Sequence, residues 1–101
     1  MSVLQETVSL NTGAAIPRVG LGTWQMPDTE VTEEAVSAAL SFGVRLIDTA
    51  AAYGNECSVG RAIRASGLPR EELFVVTKLP AEIKGYDEAH RAFEQSLEAL
   101  G

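Results

Sequence analysis

The chain is poor in cysteine and in basic residues, and each shortage closes off a class of function. With one cysteine, Cys57, among 101 residues, no internal disulfide and no cysteine-based metal cluster can form. This usage fits a reducing compartment, and the expected location is the cytoplasm. His90 is the single histidine. Eight basic residues stand against fourteen acidic ones, for a net charge of -6. The basic residues are scattered rather than gathered on one face, which argues against nucleic acid as a partner. No apolar run approaches the roughly 18 residues of a membrane span, and residues 1–8 lack the basic-then-apolar order of a leader, so no membrane partner is expected. The glycines form no GxGxxG, which removes the Rossmann fingerprint. What remains, at 46% hydrophobic residues, is enough apolar material for one small globular unit spanning residues 1–101.

The pattern along that unit is a repeated alternation. Thr7–Leu10 and Ala14–Pro17 flank Asn11-Thr12-Gly13, a sequence suited to a tight turn, and predict a β-hairpin over residues 7–17. Val19-Gly20-Leu21-Gly22 predicts a first strand, followed by the turn-like Met26-Pro27-Asp28. From Glu30, the residues Val31, Ala35, Ala38, Ala39 and Phe42 recur at helical spacing, with Gly43 placed as a C-terminal cap. Val44 to Asp48 predicts a second strand, and a loop through Tyr53 and Gly54 leads to a second helix over Glu56 to Ser66, ended by Gly67. Phe74 to Thr77 predicts a third strand running into Lys78. A third helix follows with Asp87 as expected N-cap, Ala89, Phe93, Leu97 and Leu100 as its apolar face, and Gly101 as its cap. Three strand–helix units in series imply an α/β fold with three parallel strands and right-handed crossovers, whether in an open doubly wound sheet or a β/α barrel.

The residues that end the strands carry the chemistry. Strand one runs into Gly22-Thr23-Trp24, strand two ends at Asp48 with Tyr53 close behind, and strand three ends at Lys78. In a parallel sheet these ends share one edge, with adjacent strands ~4.8 Å apart, so Asp48 and Lys78 are expected to pair. A lysine ammonium beside a phenol favours the phenolate and brings its proton loss towards working pH, which suits Tyr53 to general-acid work. In an arbitrary protein, an Asp–Lys pair between strand ends is more often structural than catalytic. Gly22 and Gly54 read as backbone devices, Cys57 as a small helical residue, and His90 as a surface imidazole.

The combination in order is more specific than its parts. Gly43-Val44-Arg45-Leu46-Ile47-Asp48-Thr49-Ala50, then Tyr53-Gly54-Asn55-Glu56 and Val59-Gly60, closely resemble the first signature segment of the aldo-keto reductases. Val19-Gly20-Leu21-Gly22-Thr23-Trp24 upstream and Val75-Val76-Thr77-Lys78-Leu79 downstream are also similar to that family, so the resemblance covers nearly the whole chain. It implies the N-terminal part of a (β/α)8 TIM barrel, in which hydride from NADPH, or from NADH, reduces an aldehyde or ketone. By the same resemblance Tyr53 protonates the developing alkoxide while Asp48 and Lys78 tune it. Gly22, Thr23, Trp24 and Asp48 would lie at the cofactor, Trp24 and Tyr53 would line the substrate pocket, and no metal is called for. Two positions depart from the pattern: Val44 replaces an aromatic residue, and Pro80-Ala81-Glu82 replaces a tryptophan-containing segment. The family's catalytic histidine belongs to a fourth strand, and His90, within the third helix, does not match it. The chain alone is therefore expected to turn over poorly. Two other readings are a barrel lyase forming a Schiff base at Lys78, against which Asp48 counts by keeping the lysine charged, and a non-catalytic fragment that self-associates through exposed sheet edges.

Overall fold

A computed structural model describes residues 3–101. Strands β1 (Thr7–Ser9) and β2 (Ala15–Pro17) form the expected antiparallel hairpin, with Val8 opposite Ile16. Its turn is closed by the Leu10 N–H donating to the Ala14 carbonyl at 2.7 Å, and Gly13 takes the left-handed φ of 89° that the reversal needs. Beyond the hairpin, β3 (Leu21–Gly22), β4 (Leu46–Asp48) and β5 (Phe74–Val76) make a parallel sheet in sequence order, with Gly22 opposite Asp48 and Asp48 opposite Val76. Helices α1 (Glu30–Phe42), α2 (Glu56–Ser66) and α3 (Tyr86–Leu100) alternate with these strands as predicted.

All three parallel strands are shorter than the sequence suggests, for local reasons. Gly20 lies against Leu46 so closely that a Cβ there would stand 2.6 Å from the Leu46 Cγ. The Val44 N–H is held by the Ala39 carbonyl at 3.0 Å, in the capping turn around Gly43, and so is not free for a sheet ladder. At the other end, strand-like bonding outlasts the regular strands: the Thr49 N–H donates to the Val76 carbonyl at 2.8 Å, and the Ala51 N–H to the Lys78 carbonyl at 3.1 Å. That extension carries Lys78 alongside the loop after Asp48.

The helices also differ from expectation in the faces they bury. In α1 the buried residues are Thr32, Val36 and Leu40, whereas Val31 and Phe42 of the predicted face are 61% and 79% exposed. With alanines around much of the helix, several faces are nearly equally apolar. The branched Val36 and Leu40 decide between them, and Thr32 can be buried because its hydroxyl donates to the Pro27 carbonyl. In α3 the packed residues are Ser96 and Leu100, while Phe93 and Leu97 are about half exposed. Asp87 is not the N-cap of this helix. Gly85 occupies that position, its carbonyl accepting from the Ala89 N–H at 2.9 Å, and Asp87 lies in the first turn, where a carboxylate still favours the helix dipole. Helices α2 and α3 approach so closely that a Cβ on Gly60 would stand 2.0 Å from the Ala99 carbonyl oxygen. Ile47, Val36 and Val59, all without solvent exposure, centre the core between sheet and helices. The alternation along β4 turns Ile47 into that core and leaves Asp48 half-buried at the strand end.

Candidate active site

Asp48 closes the central strand of the three and meets Lys78 from the extension of β5, the Lys78 Nζ donating to Asp48 Oδ1. The same ammonium donates to the Thr49 carbonyl at 3.0 Å and stands 5.4 Å from the centre of the Tyr53 ring. Tyr53 ends a 3₁₀ turn, Ala51–Tyr53, that reverses the chain before α2. Gly54 follows it with a left-handed φ of 72°, so the phenol is carried back over the strand ends. Both charged side chains keep about half of their surface in water. The hydrogen bond from Asp48 holds the Lys78 proton more firmly than an ordinary lysine holds its own, against a smaller opposing effect of burial, so the Lys78 pKa is raised. Carboxylate, ammonium and phenol thus converge at the edge where the strand-end reading places them.

Beneath them lies a buried polar network. Thr23, Thr49 and Asn55 have no solvent exposure. The Thr23 hydroxyl donates to Thr49 Oγ1 at 2.9 Å, and the Thr49 hydroxyl donates to Asn55 Oδ1 at 2.8 Å. The Asn55 amide donates in turn to the carbonyls of Thr23 and Met26, at 2.8 and 3.1 Å. The Thr23 N–H donates to the Asp48 carbonyl at 3.0 Å, joining this network to the last residue of β4. Among the described residues no buried side-chain nitrogen or oxygen lacks a partner. Further along the same loop, Asp28 Oδ1 accepts from both the N–H and the hydroxyl of Ser58 in the first turn of α2, and those bonds draw its pKa down.

The other positions singled out from the sequence divide clearly. Trp24 is 69% exposed on the loop after β3, and Gly22 has open space where a side chain would stand, so both offer surface to a bound molecule. The Thr23 side chain does not: it is fully buried and bonded within the protein, where it holds the loop. His90 lies on α3, its ring 4.5 Å from that of Tyr86, and shares a shallow groove with Leu79, Ala89 and Phe93, while Cys57 is exposed on α2. A cavity of about 210 Å³ lies at the opposite end of the sheet, beneath the hairpin, with Arg45 and Phe74 in its wall, and includes none of these residues. Sequence reasoning gave Thr49 and Asn55 no role. Asn55 stands at the N-cap position of α2, yet its side chain makes no cap bond and turns inward instead.

A parallel β/α series with this edge fits an open sheet or part of a barrel, and the comparisons with known proteins decide for the barrel. Residues 18–101 match the model of the aldo/keto reductase family. An aldo-keto reductase of Mycolicibacterium paratuberculosis is 58% identical over 95 residues, which are 94% of this chain and 34% of that protein. One from Mycolicibacterium smegmatis is 56% identical over 94 residues, again 34% of its length. The crystal structure of an aldo/keto reductase from Brucella melitensis superposes with a TM-score of 0.92 at 46% identity, over all of this chain and 37% of that one. A Bombyx mori aldo-keto reductase in complex with NADP matches with a TM-score of 0.85 at 40% identity, over 95% of this chain and 34% of its own. The chain belongs to the aldo-keto reductase family, and its strands and helices are those of the N-terminal part of the family's barrel. It spans about a third of the length of the relatives it matches.

Proposed function

We propose that this segment supplies the proton-donating half of a carbonyl reductase site, with Tyr53 as general acid and Asp48 and Lys78 as the groups that tune it. The observation that carries this reading is the placement of Lys78, bonded to Asp48 and to the Thr49 carbonyl and 5.4 Å from the Tyr53 ring centre. A fixed positive charge beside a phenol stabilises the phenolate left after proton transfer, so Tyr53 can give its proton to an oxygen on which negative charge is growing. Asp48 keeps the lysine charged and in place. Trp24 walls the carbonyl pocket. The exposed ledge of Gly22, Trp24 and Asp48 suits the flat ring of a nicotinamide, and Thr23 supports that ledge from below. When bound, NADPH or NADH would supply the hydride.

The firm hold on the Lys78 proton disfavours the lyase alternative, because a Schiff-base lysine must act as a free amine. Self-association through sheet edges is a second reading: β3 and β5 are the outer strands of the parallel sheet, and Phe42, Phe93 and Leu97 add exposed apolar surface. Light scattering across a concentration series tests it, and a constant monomer mass would reject it. The reductase reading is tested by following cofactor absorbance with a reactive aldehyde in a complete barrel carrying these residues. Tyr53→Phe should cut turnover by roughly 10²–10⁴-fold while cofactor binding stays near its original strength. Near-native turnover by that variant would sink the reading.

A further inference from the structure

Gln25 is the one non-glycine residue at positive φ among the described residues, at 66°. It sits in a tight turn closed by the Met26 N–H donating to the Thr23 carbonyl at 3.1 Å, with Trp24 before it. Glutamine has no local reason to adopt the left-handed conformation, which side-chain-bearing residues enter only when their surroundings impose it. The surroundings here include one buried side chain. Both N–H groups of the Asn55 amide are spent on the two ends of this turn, the carbonyls of Thr23 and Met26, and its oxygen is fixed by the Thr49 hydroxyl, which leaves the amide one orientation. Asn55 comes from the chain between Tyr53 and α2, so a single residue ties the Trp24 turn to the segment that carries the phenol.

We propose that Asn55 is a positioning residue for Trp24: by clamping Thr23 and Met26 it imposes the left-handed turn at Gln25 and so sets where the indole stands relative to Tyr53. The consequence for carbonyl recognition rests on the function proposed above, but the clamp itself does not. Removing the two donors frees the turn to relax to negative φ, and the indole then loses its fixed direction. Substrate affinity should weaken more than the chemical step, because the phenol and its charged neighbours are held by other bonds.

Trp24 is the only tryptophan in the chain, so its near-ultraviolet circular dichroism and fluorescence anisotropy report this turn directly. Asn55→Ala should reduce the tryptophan dichroic band by at least about half and lower the anisotropy, as expected for an indole no longer held in one orientation. Thr49→Val loosens the same buried network but leaves both Asn55 donors on the turn carbonyls, so it should reduce the two signals clearly less than Asn55→Ala does. Gln25→Gly should raise the melting midpoint by about 2–5 °C in the native background, where glycine relieves the imposed conformation, and by clearly less once Asn55 is alanine. Should Asn55→Ala not fold, Gln25→Val with Asn55 intact decides the matter: a β-branched residue at a clamped positive φ should lower the midpoint and distort the tryptophan band. Unchanged Trp24 signals in a folded Asn55→Ala chain, equal loss in Thr49→Val, an equal benefit from Gln25→Gly in both backgrounds, or a silent Gln25→Val would each overturn the assignment. In a complete barrel, Asn55→Ala should raise the carbonyl KM about tenfold or more with a smaller change in kcat. A barrel that reduces no carbonyl but shows the optical and melting responses rejects the reductase reading and keeps the Asn55 assignment. A working reductase whose Trp24 ignores Asn55 does the reverse.

Discussion

Two ion pairs stand at opposite ends of this fold and are almost equally open to water. Arg18 and Glu6, which bridge the start of the hairpin to its end, keep 55% and 46% of their side-chain surface exposed, and Lys78 and Asp48 keep 49% and 47%. By exposure alone both should contribute ~0–1 kcal/mol to stability. What separates them is what each touches: the lysine also bonds the Thr49 carbonyl and faces the Tyr53 ring, above three fully buried polar residues. A surface ion pair becomes a candidate for chemistry through the order beneath and around it rather than through its own strength.

The sharpest way to break this contrast is to remove the ammonium. In a complete barrel, Lys78→Met should reduce carbonyl turnover by at least about 10²-fold, since the charge that stabilises the phenolate is gone. The same substitution should change unfolding free energy by less than ~1 kcal/mol in a denaturant titration. Loss of stability in proportion to loss of rate would mean that the pair is a structural strut, and the contrast with Arg18 would collapse.

The second test moves one layer down. Thr49→Val removes a hydroxyl that accepts from Thr23 and donates to Asn55, all inside the protein. The change leaves the buried Asn55 oxygen with only the longer 3.4 Å bond from the Thr23 hydroxyl. Weakening a buried polar group in this way costs on the order of 1 kcal/mol or more, so this nearly isosteric change should destabilise the chain more than deletion of either ion pair. Denaturant midpoints for Thr49→Val, Lys78→Met and Arg18→Met rank the three directly. If Thr49→Val proved the mildest, the buried network would not be what holds this edge together.

Stability against pH sharpens the same distinction, with the direction set by the shifts. The folded pKa of Lys78 lies above the ordinary lysine value of 10.5, so its contribution is fully present below that value and fades as pH rises through the higher folded one. Asp28 is shifted the other way, below 3.8, by its bonds from Ser58. Its contribution is present above that value and fades as pH falls through the lower folded one. The native chain should therefore lose some stability at both extremes, Lys78→Met should flatten only the alkaline limb, and Asp28→Asn only the acid limb. Melting curves across pH read both, and an alkaline limb unchanged by Lys78→Met would remove the pair from the stability account.

How far the sequence reveals this arrangement depends on whether the deciding forces are local. The strand ends are legible because β-branched and apolar runs stop at Asp48 and just before Lys78, and parallel order follows from the alternation of elements. Helix termini at Gly43, Gly67 and Gly101 are legible because left-handed caps favour glycine. The buried face of α1 is not, since its alanines fit several faces and the choice of Thr32 depends on the distant Pro27 carbonyl. Asn55 is the clearest case: sequence reasoning assigned it no role, and its partners lie about thirty residues upstream in the Trp24 turn. Sequence periodicity carries no record of such a contact. Gly60 is similar, its need for a bare Cα coming from Ala99, far along the chain.

The smallest expected effect completes the ranking. Arg18→Met keeps the aliphatic stem and removes only the charge, so packing losses are minor. The Arg18 Nη1 to Glu6 Oε1 distance of 3.1 Å looks favourable, but water reaches both side chains, and holding two long chains together costs rotamer freedom. The hairpin has other bonds: the Arg18 N–H donates to the Glu6 carbonyl at 2.9 Å, and three residue pairs keep the register from Thr7–Pro17 to Ser9–Ala15. The substitution should therefore shift unfolding free energy by less than ~0.5 kcal/mol, become still weaker in salt, and leave carbonyl turnover in a complete barrel unchanged. A shift beyond about 1 kcal/mol that persisted at high salt would show that exposure is a poor guide to the strength of this pair. The prediction of a small stability effect for Lys78, which rests on the same premise, would then fall with it.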